Sequence, residues 1–295
     1  MRVIRAGFVL AIIGGAVAWF ATRPASLDPA LLAGLQGDAT RGALVFAAAG
    51  CAACHTAPDS DPSDRPVLAG GRAFPSDFGR FIAPNISPDP SAGIGAWSDY
   101  DLANAIMRGV SPEGAHYYPA FPYTTYAKAD PQDIVDLIAH LRTLPASDVE
   151  NQPHDVGFPF NIRRMLGGWK LLFSTDAWAL ADPLPDDVAR GRYLVEALGH
   201  CSECHTARNV LGGLRRAQWL AGAPNPSGEG TIPNITPAAL SWSAGDIVEY
   251  LTSGFTPEFD TAGGEMVDVI ANTARLPESD RAAIAAYLKA VPAVE

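Results

Sequence analysis

At 295 residues the chain has room for one large domain or two small ones. A composition of 48% hydrophobic and 18% charged residues is that of a packed protein and excludes a disordered chain. The formal net charge of −11 is spread over both halves; with no basic field in either, nucleic acid is ruled out as the expected partner, and an acidic surface suits a protein partner with a basic docking patch.

The chain opens on Met1-Arg2-Val3-Ile4-Arg5, followed by an uncharged run over residues 6–21 that ends before Arg23. A positive start followed by an apolar stretch reads as an export segment whose Arg-flanked end stays in the cytoplasm. A small-x-small cleavage pattern occurs only inside the run, at Ala16-Val17-Ala18, with Trp19 and Phe20 after it. Residues 1–23 are therefore expected to form a retained N-terminal hydrophobic helix that crosses the bacterial inner membrane and leaves the rest on the periplasmic side. The alternative is a removed signal and a soluble periplasmic protein. Residues 24–37 read as a tether.

Residues 38–146 form the first expected domain. Asp38 caps a helix that runs through Arg41, Gly42, Leu44, Val45 and Phe46 into Cys51-Ala52-Ala53-Cys54-His55. C-x-x-C-H is the attachment pattern of a c-type haem. Each thiol adds across one vinyl group, and the adjacent histidine reaches the iron from one face. The pattern returns as Cys201-Ser202-Glu203-Cys204-His205, and these two motifs hold all four cysteines of the chain. A four-cysteine zinc knuckle keeps its pairs within roughly 15 to 20 residues, far closer than these pairs lie. Two covalently bound haem c groups are the expected cofactors, with His55 and His205 as iron ligands.

Residues 147–186 are a linker without a copy elsewhere, and residues 187–295 repeat the first domain. Arg190-Gly191 matches Arg41-Gly42, Asn234-Ile235-Thr236-Pro237 matches Asn85-Ile86-Ser87-Pro88, and Trp242-Ser243 matches Trp97-Ser98. Each repeat closes with an amphipathic helix. In the first, Asp130 caps Pro131, and Ile134, Leu137, Ile138 and Leu141 share a face; in the second, Ile284, Tyr287, Leu288 and Val291 do so. Between motif and closing helix the chain is rich in Gly and Pro, so a mainly α fold with few or no strands is expected. In the linker, Phe158-Pro159-Phe160-Asn161 leads into a basic and aromatic segment with Arg163, Arg164, Trp169 and Lys170. It reads as a helix packing the lobes together, or as a surface for a membrane or partner.

Everything after the N-terminal run resembles the membrane-associated c-type cytochromes that serve bacterial alcohol, gluconate and aldehyde dehydrogenases. The resemblance rests on both C-x-x-C-H motifs, on Ala83-Pro84-Asn85-Ile86-Ser87-Pro88-Asp89-Pro90 with Gly93-Ile94-Gly95 and Trp97, and on Tyr118-Pro119-Ala120-Phe121-Pro122-Tyr123. It implies two tandem class I cytochrome c domains joined by an irregular or helical linker. It also implies that Asn85, Trp97, Asn234 and Trp242 are haem neighbours. Many such subunits carry three haems, whereas this chain attaches two.

The sixth iron ligand divides the repeats. Met266 lies in the loop before the second closing helix, where the distal methionine of a small class I cytochrome belongs, and a Met/His pair raises the potential. Aligned without gaps from the tryptophan, the first repeat places Phe121 opposite Met266, where the family commonly has Met. His116, as far from His55 as Met266 is from His205, is the leading candidate in its place. Met107 is a second, and an open iron beneath Phe121 a third. His140, His154 and His200 read as packing or linker residues.

The expected function is electron transfer in the periplasm, between a dehydrogenase donor and an oxidase or other cytochrome acceptor of the respiratory chain, with no catalysis by the chain itself. The alternative is a dihaem peroxidase-like enzyme with haem 1 open, for which Glu113 is the nearest acid-base residue.

Overall fold

The computed structural model describes residues 2–58, 60, 65–226 and 230–295. Helix α1 (Arg2–Ala21) exposes Val9, Leu10, Ile12, Ile13, Val17, Trp19 and Phe20. Among the described residues no helix is long and apolar enough to cross a membrane, so the membrane-spanning anchor expected over residues 1–23 is not supported. The uncharged part of α1 rises roughly 24 Å, short of a hydrocarbon core of roughly 30 Å. Its C-terminal end docks on protein through the Trp19 and Thr22 carbonyls, which accept from Arg164 and His116.

In the first repeat, α2 (Ala39–Ala48) starts where the Asp38 carboxylate accepts the Thr40 and Arg41 amides. Gly50, left-handed at φ 61°, turns the chain into α3 (Cys51–His55). A hairpin of β1 (Ala73–Ser76) and β2 (Gly79–Ile82) follows. Then come α4 (Asp99–Arg108), opened by a Ser98/Asp101 capping box and closed by left-handed Gly109, and α5 (Tyr123–Tyr126) and α6 (Pro131–Leu141), the last capped by Asp130. Helix α6 buries Ile134, Leu137, Ile138 and Leu141 against Val45 and Phe46 of α2. The helices cross so closely that a Cβ on Gly42 would stand 1.9 Å from the Asp136 carbonyl oxygen.

The connecting segment carries α7 (Met165–Phe173). Lys170 donates to the Arg108 and Gly109 carbonyls of the first repeat, while the Trp169 indole donates to Leu211 of the second. The helix thus clamps the lobes to one another, as its packing role anticipated.

The second repeat starts with α8 (Asp186–Tyr193), runs through a π-helical turn at Leu194–Leu198 and continues into α9 (Ser202–His205). A short hairpin of β3 (Ala223–Pro224) and β4 (Thr231–Ile232) precedes α10 (Ala244–Ser253), with a Ser243/Asp246 capping box and left-handed Gly254. Helices α11 (Met266–Thr273) and α12 (Glu278–Ala290) close the chain. Gly191 does for α8 and α12 what Gly42 does for α2 and α6, its Cβ position lying 1.9 Å from the Ala283 carbonyl oxygen. The repeated Arg-Gly pair therefore marks a helix crossing that no larger residue allows. The fold is mainly helical, and its only described strands are these two hairpins.

Candidate haem sites

Both C-x-x-C-H motifs sit on a single helical turn, which places the two cysteines on one side and the histidine at its end. The His55 Nδ1–H donates to the Pro84 carbonyl at 2.8 Å, and the His205 Nδ1–H donates to the Pro233 carbonyl at the same distance. That bond fixes the tautomer, turns Nε2 outward with its lone pair free, and makes the ring a better iron ligand. Burial pushes both imidazoles below their ordinary pKa, partly opposed by the proline carbonyl, so both are neutral and able to ligate.

The proline carbonyls are held by the asparagines. The Asn85 amide donates to the Ser147 and Val149 carbonyls, and its Oδ1 accepts the Ser87 amide. Asn234 donates to the Val294 carbonyl and accepts the Thr236 amide. Trp97 is half-buried against the core and its carbonyl accepts from Arg142. The Trp242 ring lies 5.1 Å from Tyr250, with its indole N–H donating to Glu258.

All four thiols are free. Burial pushes Cys51 and Cys201 up to about 12 and Cys204 up to about 11, which keeps the thiols of the haem-free chain protonated. Among the described residues no three His, Cys, Asp or Glu side chains converge to hold a metal ion, which leaves the zinc reading without ligands. Paired free thiols beside an oriented imidazole with a free Nε2 fit a covalently bound haem in each repeat.

The motifs abut. The Ala49 carbonyl, two residues before Cys51, accepts both the Tyr126 hydroxyl at 3.1 Å and His200 Nε2 at 3.2 Å. Arg72 donates to the Ala53 carbonyl inside the first motif and pairs with Asp268 of α11 at 2.7 Å. Glu203, inside the second motif, reaches Thr125 of the first repeat. Sequence reasoning missed Ala49, Arg72, Tyr126 and the two prolines; only the Pro-Asn pair, repeated at Pro84-Asn85 and Pro233-Asn234, carried a signal.

On the distal side, Met266 opens α11 and is half-buried. Backbone hydrogen bonding fixes its counterpart. Tyr117 N–H donates to the Gly109 carbonyl as Ala262 N–H does to Gly254, Ser111 to Ala115 as Thr256 to Asp260, and the Val110/His116 bridge matches Phe255/Thr261. Carried on in register, Phe121 is the counterpart of Met266, and His116 that of Thr261.

His116 is buried. Its Nε2–H donates to the Thr22 carbonyl at 3.0 Å, and its Nδ1 is enclosed by protein without a partner. Met107 is 5% exposed in the α4 core. His140 stacks on Phe46 and donates to the Ala39 carbonyl, while His154 Nδ1 accepts the Ile82 amide.

The cytochrome c family model matches residues 39–145. A dihaem cytochrome c-type protein of Cereibacter sphaeroides is 58% identical over 100% of this chain and 99% of its own length. The fructose dehydrogenase cytochrome subunit of Gluconobacter japonicus is 37% identical over 86% of this chain and 52% of its own length. The cytochrome c subunit of the quinone-dependent alcohol dehydrogenase of Gluconobacter oxydans is 34% identical over 86% of this chain and 55% of its own length. The chain thus spans about half the length of these two dehydrogenase relatives. With two complete attachment motifs and a full-length relative at 58% identity, the chain belongs to the dihaem c-type cytochromes and carries two covalently bound haem c groups.

Proposed function

We propose that this chain is a dihaem electron carrier that accepts electrons from a dehydrogenase and passes them towards the respiratory chain. The observation that carries the reading is the contact between the two motifs, where His200, next to Cys201, donates to the Ala49 carbonyl two residues before Cys51. Bound haem supplies a one-electron Fe(III)/Fe(II) couple. His55 and His205 would hold the iron through Nε2, oriented by the Pro84 and Pro233 carbonyls. Met266 would hold the iron of haem 2 through its thioether, which would raise the potential. Arg72, Ala49 and Glu203 hold the lobes in one arrangement, so neither has to reorganise when charge moves.

The dehydrogenase donor is favoured by relatives named as cytochrome subunits of fructose, alcohol and gluconate dehydrogenases. A place outside the cytoplasm is favoured by the Arg-flanked apolar start, read as an export segment. The acidic surface suits docking with a basic partner.

Reduced holoprotein mixed with respiratory membranes of its source bacterium tests the reading. Cyanide-sensitive reoxidation whose rate falls as salt rises is expected; reduced protein that stays reduced would remove the respiratory role.

A further inference from the structure

We infer that the face of the second repeat around Phe255, Phe259 and Val267 is the docking surface for a redox protein whose own face is apolar and ringed by lysines or arginines. The inference rests on the electron-carrier reading above and adds where the partner sits.

The two repeats build the same turn here and use it differently. Gly114 N–H donates to the Ser111 carbonyl as Phe259 N–H does to Thr256, and the Ala115 and Asp260 amides donate to the Ser111 and Thr256 hydroxyls. Val110-Ser111-Pro112-Glu113-Gly114-Ala115 therefore corresponds, residue by residue, to Phe255-Thr256-Pro257-Glu258-Phe259-Asp260. The fifth position is left-handed in both, at φ 76° for Gly114 and 65° for Phe259. Glycine enters that region freely, whereas a bulky side chain there is an outlier. The second repeat thus accepts backbone strain to hold a phenyl ring that is 97% exposed. A ring so exposed adds nothing to the core of its own chain, and strain kept without a packing return marks a site of use.

The cover over the turn differs too. In the first repeat Lys170 of α7 donates to the Arg108 and Gly109 carbonyls, Arg163 donates to the His116 carbonyl, and Val110 is 2% exposed. In the second, no described element takes the place of that linker: Phe255, the counterpart of Val110, is 57% exposed, and Val267 is exposed as well. The patch leads into α11, whose first residue is Met266, the thioether proposed for haem 2.

Charge names the occupant. Residues 217–274 contain no lysine or arginine. Glu258, Asp260 and Glu265 are exposed among the apolar side chains, and Asp268 is paired with Arg72. An apolar centre with an acidic rim is complementary to an apolar centre with a basic one. A second copy of this chain would set carboxylates against carboxylates, and an anionic lipid surface would be repelled.

The test uses the oxidised holoprotein and a zinc-substituted mitochondrial-type cytochrome c, a small basic protein with lysines around its exposed porphyrin edge. On flash excitation the zinc porphyrin gives one electron to the chain; the porphyrin is oxidised to its cation radical and one haem iron goes from Fe(III) to Fe(II). The second-order rate is expected to fall as salt rises. Phe259→Gly and Asp260→Lys should each lower it about tenfold or more, with both haem midpoints unchanged. Phe259→Gly should also keep or raise the melting temperature, because glycine suits the left-handed turn; a residue kept for stability would do the opposite. Phe158→Ser, at another exposed ring, should leave the rate as it was. A rate that ignores Phe259→Gly and Asp260→Lys would overturn the docking face and leave the carrier reading standing. So would a dimer in sedimentation that Phe259→Gly dissolves, since the face would then belong to a second copy. No electron transfer to the unmodified protein at low salt would remove the carrier reading as well.

Discussion

Arg72 of the first repeat pairs with Asp268 of the second at 2.7 Å while also donating to the Ala53 carbonyl between the first two cysteines. One guanidinium thus joins the haem 1 motif to the helix that begins with Met266. Both side chains are more than a third exposed, so the pair adds little to stability. Its electrostatic effect on the cofactor is more direct: a cation beside a haem favours the reduced, less positive state. Arg72→Gln should lower the haem 1 midpoint by on the order of tens of millivolts, with a smaller effect at high salt. A redox titration that leaves both midpoints in place would remove this role from Arg72.

Asn85 and Asn234 hold the carbonyls that orient the two histidines, but unequally. Asn85 is 2% exposed and its amide serves two carbonyls, whereas half-buried Asn234 serves one. Each hydrogen bond lost costs about 0.5–1.5 kcal/mol, and the buried Ser87 and Thr236 amides, which the two Oδ1 atoms accept, cost about 1–3 kcal/mol when left without an acceptor. Asn85→Ala should therefore cost about 2–4 kcal/mol and Asn234→Ala less. Denaturant titration of the two holoprotein variants measures the difference; equal losses would mean that the loops are held by something else.

The local parts of this structure were legible in the sequence. Caps such as Asp38 and Asp130, the C-x-x-C-H turns, and the Phe121/Met266 register are written in short spacings. The relation between the lobes was not, because it is made by pairs such as His200 with the Ala49 carbonyl and Arg72 with Asp268, whose partners lie far apart in sequence. His116 shows the same limit. Its spacing from the motif copies that of Met266, but its direction is set by Thr22, distant in sequence and brought near by the close crossing at Gly167. The N-terminal run was read as longer in reach than it is, since apolar character was legible while the rise of an uncharged helical segment fell short of a bilayer.

Asp136 makes the first lobe acid-sensitive. Burial pushes its carboxyl up, but hydrogen bonds from Arg41, the Asp38 amide and Gln132 outweigh that and hold its pKa below the ordinary 3.8. A depressed carboxyl contributes stability that is present above its unfolded pKa and is lost as pH falls through the folded one. Melting temperature should therefore drop as pH falls below about 4, and Asp136→Asn should flatten that drop while lowering stability at neutral pH. Parallel acid profiles for the two proteins would place the acid sensitivity in another group.

Met266 sits at the first turn of α11, two residues before the Asp268 carboxylate that binds Arg72. Its thioether is the softest donor at the distal position of the second repeat, and a thioether favours ferrous iron over ferric. Met266→Ala should turn the haem 2 signal high-spin and lower its midpoint well beyond the tens of millivolts expected at Arg72. Met266→His should keep that haem low-spin yet still lower its potential, because imidazole stabilises the ferric state better than a thioether does. This pair separates ligation from packing: a residue that only filled space would give two variants with similar spectra. If both keep the native midpoint, the sixth ligand of haem 2 comes from another side chain.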